Sequence, residues 1–303
     1  MNRSTVQVLA VLTAMLCTSV AVAAQRSYNR QLPAPPGGHF TLRTAVGSVS
    51  VIGHAAQDVA VHVAMRGPQS FLDRLHISAR TTPSGVRISA RLYPGDRLEA
   101  FDFWSRQRVR FSVEVPSDDP VALHTSGGNL TVQRLTAPVR AYSSGGRIRL
   151  QRITGAISAH TSGGSVAAKH INGAADLSTS GGSIAVSDGS GPLMLRTSGG
   201  NIRLQNDDGA IDAVTSGGDI RADLRGNCRI TLRTSGGNVS LLLPHDARGA
   251  VDASTDGGTV SIGFPLTTTA TDSPTHLRGT IGGGGATIDL HSSGGDIQIR
   301  PAS

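Results

Sequence analysis

Beyond residue 120 the chain reads as short runs in which apolar and polar residues alternate, such as "LTVQRL" from Leu130 and "VRAYS" from Val139. Alternation with period two sends successive side chains to opposite faces of a strand, so these runs predict β-strands. Between them lie bends of small residues, chiefly Thr or Ser, then Ser, Gly and Gly. The first glycine of each pair falls at Gly127, Gly145, Gly163, Gly181, Gly199 and Gly217, eighteen residues apart, then at Gly236, Gly257 and Gly294 after small insertions. Each repeat thus holds two strands and two bends, the second often marked by glycine, as in "GGSVAAKHINGAADLSTS".

Superimposed at this period, the apolar positions form columns. One runs Leu130, Ile148, Val166, Ile184, Ile202, Ile220, Val239, Val260 and Ile297; its counterpart on the second strand runs Val139, Ile157, Ala175, Leu193, Ile211 and Val251. The residues between them vary among Arg, Asp, Ser, His and Gln. Uniform columns at a fixed period are what stacked coils require, with each strand pairing to the coils above and below at about 4.8 Å. The predicted fold class is therefore all-β: a parallel β-solenoid (β-helix) with about 18 residues per coil, preceded by an irregular β-rich N-terminal capping region. Nine such coils give a rod about 40 Å long. An antiparallel meander also alternates in and out, but it gives no reason for like residues to recur at every second strand.

The residue two before each first glycine, Thr125, Ser143, Thr161, Thr179, Thr197 and so on, shares the parity of the inward aliphatics. This predicts hydroxyls stacked at a corner, with the glycines supplying backbone conformations that other residues resist. "GTIGGGGATIDL", Gly279 to Leu290, reads as one irregular turn, and Pro301 as the blocker of the last strand edge.

Ahead of the repeats, Arg3, the apolar run Val6 to Leu16 and the small residues near Ala23 predict a signal peptide over 1–24. A Pro/Gly linker is expected over 25–38, irregular β-rich capping structure over 39–115, and the solenoid over 116–303. No later segment approaches the length of a membrane span.

Composition narrows the chemistry. Glycine is abundant at 38 residues and aromatics make up 3%, which suits a narrow core of small and β-branched side chains. Cleavage leaves Cys228 as the sole cysteine, so the fold must hold without an internal disulfide. The net charge is +7, carried almost wholly by arginine, with Lys169 the one lysine; a basic exported chain can lean on anionic partners. The Ser-Gly-Gly bends lack the lysine and the following helix of a phosphate-binding loop. Eight near-equivalent serines do not make a nucleophile, and no acidic residue recurs in every turn as calcium-binding rolls require. His124, His160 and His291 share one outward column, but His124 and His160 are two coils apart, about 9.6 Å, too far to share a zinc ion. No catalytic, metal or cofactor site is expected. One surface feature remains: Arg134, Arg140, Arg147, Arg149 and Arg152 in the first coils, with Arg106, Arg108 and Arg110 just upstream beside Phe101, Phe103, Trp104 and Phe111. Such a cluster can bind a partner; equally, its aromatics can cap the open end of the core.

The early "GSVSVIG", the lead-in "VRFSVEVP" and the repeated "TSGGNLTV", "TSGGSVAA", "TSGGNIRL" and "SSGGDIQI" together resemble the DUF4097 family of bacterial β-strand-repeat proteins, described as candidate adhesins. The resemblance covers nearly the whole chain after the leader. It implies a β-solenoid exported to the cell envelope, with no catalytic residues to carry over. The expected function is a non-enzymatic envelope protein, periplasmic or secreted, with adhesin-like binding or a structural role. Its partner would be an envelope protein or polysaccharide, anionic ligands included, and no specific nucleic acid. The alternatives are a carbohydrate-active β-helix enzyme and an envelope-stress or signalling accessory protein.

Overall fold

In the computed structural model, which describes residues 24–93, 108–268 and 273–302, the repeats wind into a flattened parallel β-solenoid of two facing sheets. Sheet A has 13 strands and sheet B 14, and eleven strands of each belong to coils. At one strand spacing per coil the rod is about 50 Å long. Residues 1–23 of the expected leader, Phe101, Phe103, Trp104 and Arg106 lie outside the described residues, while Ala24, the last residue of that leader, begins an edge strand.

Each coil contributes one strand to sheet B and the next to sheet A. Registers follow the sequence columns: Ile184, Ile202 and Ile220 pair in line across sheet A, and Leu177, Leu195 and Ala213 across sheet B. All of these are buried between the sheets, where each larger aliphatic contributes roughly 1.5–3 kcal/mol. In sheet A a third residue turns inward. Arg134, Arg152, His170, Asp188 and Asn206, again one per coil, hold φ between 52° and 59°. This left-handed step lets two outward residues in succession precede an inward Leu135, Ile153 or Ile171.

At the glycine corner, each buried hydroxyl joins two coils. Thr197 Oγ1 donates to the Gly182 carbonyl of the preceding coil at 2.8 Å and accepts from Gly200 N–H of its own coil at 3.3 Å. The same pair of bonds recurs from Ser143 to Ser292. The two glycines have different reasons to be there. Neither adopts a left-handed φ, so the expectation of a conformational requirement does not hold. The second glycine is needed because coils approach too closely for a side chain: a Cβ on Gly200 would lie 2.0 Å from the Gly182 carbonyl oxygen. Beside this corner runs a second ladder. Asn201 Oδ1 accepts from Asp219 N–H, Asp219 Oδ1 from Asn238 N–H, and Asn238 Oδ1 from Asp296 N–H, at 2.8–2.9 Å.

That last step, from Asn238 to Asp296, exposes a departure from sequence order. Coils from 121 to 243 stack in chain order, but both ends are interleaved. Strands Ala286–Ser292 and Ile297–Pro301 insert between Ile230–Thr234 and Gly249–Thr255 in sheet B, and between Val239–Leu243 and Val260–Ile262 in sheet A. At the other end, His39–Thr44 and Ser48–His54 lie between the coil of Gly85–Leu92 and Arg108–Pro116 and the coil of Val121–Thr125 and Leu130–Leu135. Antiparallel strands then close both ends. Leu75–Thr82, Asp58–Gly67 and Ala24–Pro33 do so at the first, with Phe71 and Leu72 of the short helix Gln69–Arg74 buried there, and His276–Ile281 and Leu266–Thr268 at the second.

Three expectations are corrected by this arrangement. Residues 25–33, read as linker, lie in an edge strand paired along its length to Asp58–Gly67, leaving the Pro/Gly segment after Pro33 as the turn. The "irregular turn" over 279–290 is the end of one strand, a tight bend of four glycines with φ from 61° to 152°, and the start of the inserted coil. Pro301 does not guard a terminal edge, because its strand pairs on both sides.

Candidate anion-binding face

The outer surface of sheet B near its N-terminal end is built by strand register. Leu75–Thr82 runs antiparallel to Gly85–Leu92, setting Arg80 directly opposite Arg87 and His76 opposite Arg91. The next strand places Arg43 beside Ser89, and then His124, Tyr142 and His160 continue the same outward column coil by coil. Arg140 stands in the neighbouring column, in line with Ala122 and Thr41. Arg43, Arg80, Arg87 and Arg91 rim a recess of about 760 Å³ that His76 and Tyr93 also line. A smaller recess of about 180 Å³ adjoins it between Arg43, Arg140, His124, Tyr142 and His160.

Tyr142 lies stacked between His124 and His160, with ring centroids 4.7 and 5.4 Å away and planes within 17°. The tyrosine faces are thus covered by the two imidazoles, while Tyr142 keeps 37% of its surface exposed. His160 Nδ1 is 2.8 Å from Ser178 Oγ. His76 meets Tyr93 edge to face at 4.9 Å.

Charge on this face is uncompensated. No acidic residue occupies an outward position from Leu75–Thr82 through Ile157–Thr161, and Arg43, Arg80, Arg87, Arg91 and Arg140 make no ion pair among the described residues. Farther along the same sheet the pattern inverts: Arg196 pairs with Asp212 at 3.5 Å, Arg233 with Asp289 at 3.2 Å and Arg278 with Asp252 at 3.0 Å. Like charges directly opposite one another destabilise a sheet. The Arg80–Arg87 juxtaposition therefore weakens the fold locally, while a bound anion would relieve it.

Two buried carboxyls lie apart from this surface. Asp207 occupies the inward position held by Ile153 and Ile171 in other coils, opposite Gly189, whose missing side chain leaves it room. Burial pushes its pKa up to about 6, against the pull of Gly189 N–H at 2.6 Å and Gln205 N–H at 3.0 Å. Burial likewise raises Asp119, with Asp118 adding to the effect and His39 opposing it. Asp207 has no exposed surface and so offers no contact to a ligand.

Of the arginines singled out from the sequence, only Arg140 belongs to this face. Arg108, Arg110 and Arg149 are on strands of sheet A, Arg147 follows the glycine corner, and Arg134 and Arg152 hold the left-handed positions at the opposite corner. Nearness along the chain dispersed them because consecutive strands belong to opposite sheets. Arg43, Arg80, Arg87 and Arg91 lie outside the cluster that the sequence suggests. A signal existed for the first: aligning "TLRTAVGSVSV" with "ALHTSGGNLTV" puts Thr44 in the Thr125 column and Arg43 in the His124 column.

The family model described as Toastrack DUF4097 matches residues 40–300. Among solved structures, a candidate lipid-binding protein from Parabacteroides distasonis is similar at 12% identity over 92% of this chain and 97% of its own, with a TM-score of 0.46. A candidate adhesin from Bacteroides fragilis is similar at 11% identity over 91% and 97%, with a TM-score of 0.41. No curated protein matches the chain. No helix among the described residues is long and apolar enough to cross a membrane.

Proposed function

The chain belongs to the Toastrack DUF4097 family, and from that premise we propose that it is a non-enzymatic, adhesin-like protein of the cell envelope that holds an acidic polysaccharide on the outer face of sheet B. In this reading residues 1–24 direct export, and the stapled coils are a rigid scaffold whose outward columns carry the specificity. The observation that carries it is the set of five arginines brought together from four strands with no acid among them. The recess also offers hydroxyls and imidazoles but no carboxylate, a lining suited to gripping an anion rather than to the paired carboxylates of glycoside cleavage. Its partner lies along a surface rather than inside a pocket, which fits a polymer.

Arg43→Glu, Arg87→Glu and Arg140→Glu combined tests the proposal. The mature protein is expected to be retained on immobilised polygalacturonate, to be released by salt as screening predicts, and to pass through uncharged dextran. The triple variant should elute from polygalacturonate at clearly lower salt and likewise pass through dextran. Elution of variant and wild type at the same salt concentration overturns the assignment.

A further inference from the structure

On the opposite side of the rod, sheet A carries a recess of about 340 Å³. Its origin is a break in one outward column. Arg149, Ala167, Ala185 and Arg203 succeed one another coil by coil, so two long cationic side chains stand three strand spacings apart, about 14 Å, with only methyl groups between them. The parallel column reads Gln151, Lys169, Ser187 and Gln205. It adds a third cation over the floor, a hydroxyl beside it, and a side-chain amide at each end. The side chains of Arg149, Lys169 and Arg203 make no hydrogen bond or ion pair among the described residues, and no carboxylate lines the recess.

We propose that this trough is a second ligand site, taking a short acidic oligosaccharide laid along the rod axis with its carboxylates toward Arg149 and Arg203. The volume falls within the range of small-ligand clefts. Guanidinium groups suit carboxylates through paired N–H donors. Amides that both donate and accept, together with the Ser187 hydroxyl, suit the hydroxyls of sugar rings, and the flat alanine floor suits a ring face. A small inorganic anion could use the cations but would leave the amides and the 14 Å span without purpose. The site stands independently of the sheet B face, because the two surfaces share no residue and point in opposite directions.

The test is calorimetric titration of the intact mature protein with trigalacturonate, at fixed ionic strength. Introduced into the Arg43/Arg87/Arg140 charge-reversal background, where the sheet B face no longer contributes, Arg149→Ala with Arg203→Ala is expected to weaken binding at least tenfold; both side chains are exposed, so circular dichroism and the unfolding midpoint should match that background. The Arg43/Arg87/Arg140 charge-reversal variant should keep this binding. Undiminished affinity in the Arg149/Arg203 variant overturns the proposal. So does equal binding of a neutral galactose trimer, and so does full displacement by inorganic phosphate at matched charge, which would mark an ion site only. Loss in the sheet B variant alone places the ligand on the other face and also refutes it.

Discussion

A methyl group on Gly200 would sit 2.0 Å from the Gly182 carbonyl oxygen, whereas one on Gly199 would find its nearest neighbour, the Ser180 carbonyl, at 3.6 Å. Adjacent glycines that look equivalent in sequence thus differ in what they do. Gly200→Ala forces two coils apart at the point where Thr197 Oγ1 bridges them, at a cost of about 3 kcal/mol. Gly199→Ala has room and should change stability by no more than about 0.5 kcal/mol. Denaturant midpoints of the two variants check this, and equal losses would refute the close-approach account. Asp207 makes a separate prediction. Its folded pKa of about 6 lies above the unfolded carboxylate range near 3.9, so the folded state binds the proton more tightly. Stability from this group is fully present below about pH 4 and is lost as pH rises through about 6, on the order of 3 kcal/mol in all. Asp207→Asn cannot titrate. The stability difference between wild type and variant should therefore shift in favour of wild type as pH falls from 7.5 to 4.5, and a flat difference would refute the assignment.

At the scale of the strand and the coil, inward columns were legible because burial imposes one chemistry on them: Ile202 must match Ile184 and Ile220, or a void opens. The corner hydroxyls were legible for the same reason, since their parity placed them inside. The glycine pair was legible as a corner but not as a steric requirement, because sequence reports residue type and not the distance to the next coil. The Asn201–Asp219–Asn238–Asp296 ladder escaped notice because Ser, Thr and Arg interrupt its column. The outward faces, on which both proposed sites lie, were the least legible. Outward residues face solvent and obey no repeat, so their grouping depends on which strands pair. At the capping end, where Arg80 meets Arg87, pairing is antiparallel and the eighteen-residue period gives no guide.

For the whole molecule, the order of coils is the property that sequence could not specify. Val239, Val260 and Ile297 belong to one column, so the coils carrying them fit the same slots, and only the path of the connections selects among them. Ile288 pairs with Ile230 on one side and Val251 on the other, which means the two flanking coils already present matching faces to a common partner. Removing residues 284–303 should therefore let the coil of Gly249–Thr255 and Val260–Ile262 close directly on that of Ile230–Thr234 and Val239–Leu243, in register, with Thr255 taking the Gly237 carbonyl now bound by Ser292. Ser240 and Ser261 report the change. Both pair with Gln298 from opposite sides, about 9.6 Å apart across two strand spacings, beyond the reach of a disulfide; after closure they would be neighbours within the usual Cα separation for one. With Cys228 replaced by Ser in the mature protein, which lacks Cys17, the Ser240→Cys/Ser261→Cys pair should stay reduced under mild oxidation in the untruncated chain and cross-link in the truncated one. A cross-link in the untruncated protein would contradict the interleaved order, and none in the truncated protein would show that the coils, though alike in pattern, do not substitute for one another.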